Sequence, residues 1–333
     1  MKAETNWDSL ELEEKLKIAE IAGERHYSVL KKLPNVVSIG FGLREKNEEL
    51  INEPCIKISV SYKWKGTRRK IGKIPARCII KLEKSNGQKL SYAVPTDITF
   101  VGRGQIKPQS AGGGSKTTTR NGIHLPSGGT GCCFVKFQDY EGYYLLGCAH
   151  TFAFVDRYNL PDVNELYFYR TYSEKQQQPY ERQIGTLQAI ADLRQADAAV
   201  VFVDNAQDLS TGYGPNNYSF AGTWQNNNFP WRYSVYGRHG VVPSQWVENT
   251  YQINVPLHRR QNRKNYVFRS IPRSRPLSGY APTQAGDSGA PVVSNNGYLL
   301  GMHFAGLGQY SYSFPIQRVL NAFSVRLKLA INV

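Results

Sequence analysis

The chain of 333 residues has no apolar run of 18 residues, so it offers no candidate membrane-spanning helix. Its opening stretch, MKAETNWDSLELEEKL, lacks the apolar core of a secretory signal peptide. These absences predict a soluble, cytoplasmic protein. Cysteine is scarce and one-sided: all five (Cys55, Cys78, Cys132, Cys133, Cys148) fall before residue 149. An odd number confined to one half is no disulfide framework for a secreted protein. Buried reduced thiols are expected, although a bridge from Cys132 or Cys133 to Cys148 is sterically conceivable. No His/Cys cluster has metal-ligand spacing, and Cys132-Cys133 is too close to be a zinc pair by itself. No metal and no other cofactor is expected. Acidic residues are outnumbered, leaving a formal charge of +15. That sign favours an acidic partner, nucleic acid or an anionic membrane, or serves general solubility.

Aromatics are plentiful at 12%, with 21 tyrosines, which suits strand-rich structure. Residues 8–33 read as a helix. Asp8 and Glu11 form a capping-box pattern, Leu12, Leu16, Ala19 and Ala22 follow at helical spacing, and Pro34 closes the segment. Short β-branched runs come next at 36–43, 56–62, 78–82 and 89–94. Residues 1–101 therefore form a small α+β domain. Residues 102–131 are rich in Gly, Ser, Thr and Pro without periodicity and read as a flexible linker. Residues 132–333 carry recurrent short strands with Gly, Asn and Pro turns, and a helical pattern returns only at 315–331. Such a region predicts an all-β barrel or sandwich.

Residues 285–291 read Ala-Gly-Asp-Ser-Gly-Ala-Pro, ahead of an apolar strand. Gly286 and Gly289 permit a tight turn that exposes the Ser288 hydroxyl. The same turn can aim the N–H groups of Gly286 and Ser288 at one point, as an oxyanion hole. A serine nucleophile needs a base. His150 ends a strand in Gly-Cys-Ala-His-Thr, where small neighbours can fix its orientation, whereas His26, His124, His239 and His258 lie in helical, linker or turn-like contexts. The base in turn needs an orienting carboxylate. Asp197 opens the apolar run Ala-Ala-Val-Val-Phe-Val, where burial demands a donor. Asp192 and Asp204 are weaker candidates, outside that strand or at its far end.

Together His150, Asp197 and Gly286-Asp287-Ser288-Gly289, in that order and spacing, resemble the chymotrypsin-like serine proteases. The resemblance covers about residues 128–333. It implies two six-stranded β-barrels with a Ser288–His150–Asp197 triad between them, and hence a serine endopeptidase acting on protein or peptide. Ala290 replaces the usual glycine, Thr151 replaces a disulfide cysteine, and no Ile-Val-Gly-Gly start is present. These departures fit intracellular, disulfide-poor branches of the fold.

The flanking segments Tyr280-Ala-Pro-Thr-Gln-Ala-Gly and Gly301-Met-His-Phe-Ala-Gly resemble picornain-type viral proteases, which use cysteine. By that resemblance Thr283 and His303 line the pocket for the residue before the scissile bond. A hydroxyl and a neutral imidazole suit Gln, or else Glu. Against this, His303 can equally be a filler of the barrel. The backbone of Phe304, Ala305 and Gly306 is expected to pair with substrate as an added strand. A Gln followed by a small residue occurs in the linker, which makes Gln109–Ser110 a candidate self-cleavage site. Two rival readings stand beside this one. The first is a binding module on an inactive protease fold. The second is a nucleic-acid binder using residues 258–275 and 63–73, which interleave basic and aromatic or apolar side chains.

Overall fold

The computed structural model describes residues 7–47, 49–61, 74–83, 87–102, 106–108, 129–138, 140–152, 166–173, 178–203, 218–226, 229–256, 265–324 and 327–330. Among these the chain is mostly β. A short 3-10 turn (Trp7–Ser9) and helix α1 (Leu12–Leu30) precede strands β1 (Val36–Lys46), β2 (Glu49–Val60), β3 (Arg77–Glu83) and β4 (Lys89–Phe100). The two-residue β5 (Lys107–Pro108) follows, then β6 (Cys133–Phe137), β7 (Tyr144–Gly147), helix α2 (Ala149–Phe152), β8 (Leu166–Ser173), β9 (Gln178–Ile190) and β10 (Ala199–Val203). The rest runs β11 (Gly222–Thr223), β12 (Arg232–Gly237), β13 (Gly240–Pro256), β14 (Asn265–Pro276), β15 (Pro291–Ser294), β16 (Tyr298–Leu307), β17 (Tyr310–Pro315), α3 (Ile316–Asn321) and β18 (Leu327–Leu329). No helix among the described residues is long and apolar enough to cross a membrane.

The chain forms two compact units. The first joins Met1–Gly104 to Val247–Ile253 and Arg269–Ile271. In it β1 pairs with β2, β2 runs parallel to β4, and β4 pairs with β3. Ile18, Ala19 and Ala22 of α1 share its core with Ile39, Phe41, Ile56, Ile58 and Tyr251. The Ser-Ile-Gly-Phe-Gly alternation explains this packing. Ile39 and Phe41 enter the core, while Gly40 and Gly42 let β13 approach: a Cβ on Gly42 would sit 2.2 Å from the Val247 carbonyl. The capping box is not formed. The helix begins at Leu12 with Glu11 as its N-cap, and no side chain caps it. The chain at Asp8 is instead turned into the 3-10 segment.

The second unit comprises Gln105–Trp246, Asn254–Phe268 and Pro272–Val333. It holds two β systems. One is a six-stranded sheet in the order β18-β6-β7-β10-β9-β8. Its core includes Phe134, Leu145, Phe152, Leu187 and Val201. In the other, β12 pairs with both β13 and β15, and β15-β16-β17-β14-β13 completes the ring. That closes a six-stranded barrel in which each strand has a neighbour on both sides. Phe268, Phe304 and Phe314 fill its interior, with Phe304 and Phe314 stacked at 4.0 Å. The mostly-β fold, with two six-stranded systems behind an α+β segment, matches the expected class.

The C-terminal helix is shorter than the 315–331 pattern suggests. It ends at Asn321, and Leu327–Leu329 returns as a strand against β6. Buried Leu327 next to exposed Lys328 is a period-two signal that a helical reading misses. All five cysteines are buried and unbridged.

Candidate active site

His150 lies on the single turn α2, just past the end of β7, and Asp197 lies just before β10, the neighbour of β7. Adjacent strand ends therefore bring together two residues far apart in sequence. Asp197 is fully enclosed, and one of its carboxylate oxygens accepts the His150 backbone N–H at 3.1 Å. The other contacts His150 Nδ1. This double contact fixes both the backbone and the ring of His150. The opposite ring nitrogen, Nε2, is buried and meets no hydrogen-bond partner among the described residues. Of the weaker acid candidates, Asp192 is held by Arg194, whose hydrogen bonds keep its carboxyl low, at about 2. Asp204 lies outside the described residues.

Ser288 sits in the turn before β15. Gly286 and Gly289 both have positive φ, 110° and 94°. At Gly289 any side chain is excluded: a Cβ would lie 1.8 Å from the Thr130 carbonyl oxygen. The Ser288 hydroxyl donates to the Phe304 carbonyl at 3.0 Å rather than to His150. The carbonyls of Gly286 and Ser288 accept from Thr130, through its hydroxyl and its N–H respectively, each at 2.7 Å. The N–H groups of Gly286 and Ser288 donate to no backbone acceptor among the described residues.

Three partners of this turn escaped the sequence reading. Thr130 falls in the stretch read as linker, yet it is buried and clamps the turn from a position just ahead of β6. Asp287, also buried, accepts the Gln284 N–H at 2.7 Å and contacts His239 Nδ1 at 3.2 Å. Only its place inside the Gly-Asp-Ser-Gly string hinted at Asp287. His239 stood in a polar turn with no local signal.

Of the pocket candidates, Thr283 is buried and its hydroxyl pairs with that of Ser311 at 2.6 Å. His303 is fully buried, and burial pulls its pKa down to about 4. The Asp287 charge and a hydrogen bond with the Tyr312 backbone oppose that shift, and His150 reinforces it. The imidazole is therefore neutral at pH 7. The Phe304 ring packs inside the barrel, so Phe304 offers its backbone only. Ala305 and Gly306 already pair with Pro108 and Lys107 of β5. Gln109 and Ser110 lie outside the described residues, as do residues 62–73 and 257–264, which hold much of the two basic stretches.

Cys148 Sγ lies within 4.8 Å of donor atoms of His150 and Asp197, a grouping with the residue types of a metal site. Its bonds point elsewhere. Burial and the Asp197 charge hold the thiol well above its ordinary pKa, so it stays protonated, and it donates to the His303 carbonyl at 3.4 Å. A metal would need the thiolate and would displace the Asp197–His150 contact.

No family model matches the chain, and no curated protein matches it. Among solved structures, the chain is similar to the active form of the Rv3671c protease of M. tuberculosis. The identity is 15% and the TM-score 0.35, over 61% of this chain and 82% of that one. It is also similar to a serine protease of a human pathogenic astrovirus, at 14% identity and a TM-score of 0.28, over 60% and 95% of the two chains. These likenesses are distant, and the chemistry rests on the residues themselves.

Proposed function

We propose that the chain is a serine endopeptidase with Ser288 as nucleophile, His150 as general base and Asp197 as its orienting carboxylate. One observation carries this reading. A fully buried Asp197 holds both the backbone and the ring of His150, leaving Nε2 without a hydrogen-bond partner among the described residues, while Cys148, two residues before His150, and Gly289 of the serine turn donate to the same His303 carbonyl. A buried polar nitrogen left unmatched is costly unless a second group uses it.

In this reading the Ser288 hydroxyl turns from the Phe304 carbonyl to His150 Nε2 when a peptide enters. Catalytic hydrogen bonds commonly form only in the substrate complex. Ser288 Oγ then attacks the scissile carbonyl as its proton passes to Nε2. The N–H groups of Gly286 and Ser288 hold the oxyanion. His150 protonates the leaving amine, and water repeats the sequence on the acyl-enzyme. A neutral His303 and the Thr283 hydroxyl, acting as donors, favour an oxygen acceptor on the side chain before the scissile bond, hence Gln, or else Glu. The linker bond Gln109–Ser110 is then the chain's own candidate substrate.

Labelling with a fluorophosphonate tests the nucleophile. The wild type should gain one adduct on Ser288, and Ser288→Ala none. Labelling that survives Ser288→Ala would remove Ser288 from its role. A positional-scanning peptide library tests the pocket, and a preference for Arg, Lys or Phe would rule out the Gln/Glu assignment. Self-processing should yield a fragment beginning at Ser110 in the wild type and an intact chain in Ser288→Ala.

A further inference from the structure

Strand β16 has two edges. β17 pairs along one of them from Gly301 to Leu307. On the other, β15 pairs only as far as Met302. The turn beyond it continues that edge. The His303 N–H donates to the Ala290 carbonyl at 2.9 Å, and the Gly289 N–H donates to the His303 carbonyl at 2.7 Å. The Ser288 hydroxyl reaches the Phe304 carbonyl. The next two positions, Ala305 and Gly306, pair antiparallel with Pro108 and Lys107. The edge that begins at the nucleophile is therefore filled by the chain itself.

We propose that the Lys107–Pro108 strand is a resident, substrate-like occupant of this edge, which an incoming peptide strand must displace. The inference rests on the serine endopeptidase reading and adds what that site holds at rest. Three features support it. An added strand gains its affinity from main-chain hydrogen bonds, so any extended segment of suitable backbone competes for the edge. Proline has no N–H to give. Antiparallel pairs alternate between bonded and non-bonded, and since Pro108 has no N–H to give opposite Ala305, the register leaves Lys107 and Gly306 as the pair able to exchange bonds. A peptide held in this register meets Phe304 with its next residue, beside the Ser288 hydroxyl. Finally, Ser288 is fully enclosed, the His150 side chain is only 4% exposed, and Ile106 is buried as an anchor just before the strand.

The test measures binding, not turnover. A fluorescein-labelled peptide with the sequence of residues 104–109 is titrated into the full chain carrying Ser288→Ala. The same titration is made with Lys107→Pro added, which removes the bonded N–H, and separately with Ile106→Asp added, which expels the anchor. Both additions should tighten peptide binding at least tenfold, because the cis competitor is gone. Two routes to release guard against one of them misfolding. Equal affinity in all three chains, or no binding to any, would overturn the inference. Fluorophosphonate labelling of the Ser288 chain runs in parallel. A gain in peptide affinity without any labelling would remove the protease reading and leave the occupied edge standing.

Discussion

Acid should destabilise this chain through His303 in a way that one substitution can isolate. His303 is fully buried, and its pKa in the folded chain is about 4 against an ordinary 6.5. Because the folded value is the lower one, the unfolded chain takes up the proton first as pH falls. The stability linked to His303 is complete above about pH 6.5 and is lost progressively toward pH 4. At pH 4.5 the shift is worth about 2 to 3 kcal/mol, and full burial means that solvent screening does not reduce it. Other carboxylates and histidines add their own slopes, so the comparison must be with His303→Gln, which cannot titrate. Urea unfolding at pH 7.5 and pH 4.5 gives the loss for each chain. Wild type should lose about 2 to 3 kcal/mol more than the variant, whatever the variant's starting stability. Equal losses would refute the claim that His303 is a buried neutral imidazole. They would also undercut its proposed role as a neutral donor to a substrate amide.

Other substitutions probe the site and the N-terminal unit. Asp197→Asn should lower kcat/KM by roughly 10³ to 10⁴, since the ring loses the carboxylate that fixes its tautomer, while fluorescence and circular dichroism stay close to wild type. Thr130→Val removes the hydroxyl bound to the Gly286 carbonyl. If Thr130 positions the oxyanion donors, kcat should fall by roughly 10- to 100-fold with KM nearly unchanged; a lower melting temperature with kcat intact would reduce Thr130 to a structural clamp. Asp97→Ala should destabilise the N-terminal unit by about 3 to 5 kcal/mol, because Lys57 is fully buried and Asp97 is its ion-pair partner at 2.5 Å.

How much of this was legible depended on the range of the interaction. The mostly-β character, the N-terminal helix and the individual strands follow from local pattern, and their ends shift by a few residues. Asp197 was readable because a carboxylate at the mouth of the run from Ala198 to Val203 needs a buried partner. The clamp on the serine turn was not, because Thr130 and Gly286 are 156 residues apart and nothing near Thr130 in sequence marks it. Helical spacing misled at the C-terminus, where a short strand pairs with a distant one. The capping-box pattern misled at Asp8 for a related reason. A matching residue pair sets no helix start when tertiary packing draws Trp7 into the core.

The glycine-rich segment before residue 131 shows why composition is a poor guide to position. Its average character is that of a linker, yet its two ends behave differently. Ile106 is buried and leads into the strand on β16, while Thr130 sits at the serine turn. At Gly289 a single methyl group would collide with the Thr130 carbonyl, so the turn and the end of the segment have one joint geometry. The Lys107–Pro108 end lies against the same edge that the turn begins. A tether cut free of the site would need neither contact. Holding both ends beside one serine is what a chain needs if its own connecting segment is to compete with, or become, its substrate. The same arrangement predicts that lengthening the segment with Gly and Ser between residues 112 and 120 should leave the strand in place. Replacing residues 106–108 with Gly-Gly-Gly should raise the rate of fluorophosphonate labelling, and an unchanged rate would count against the occupied edge.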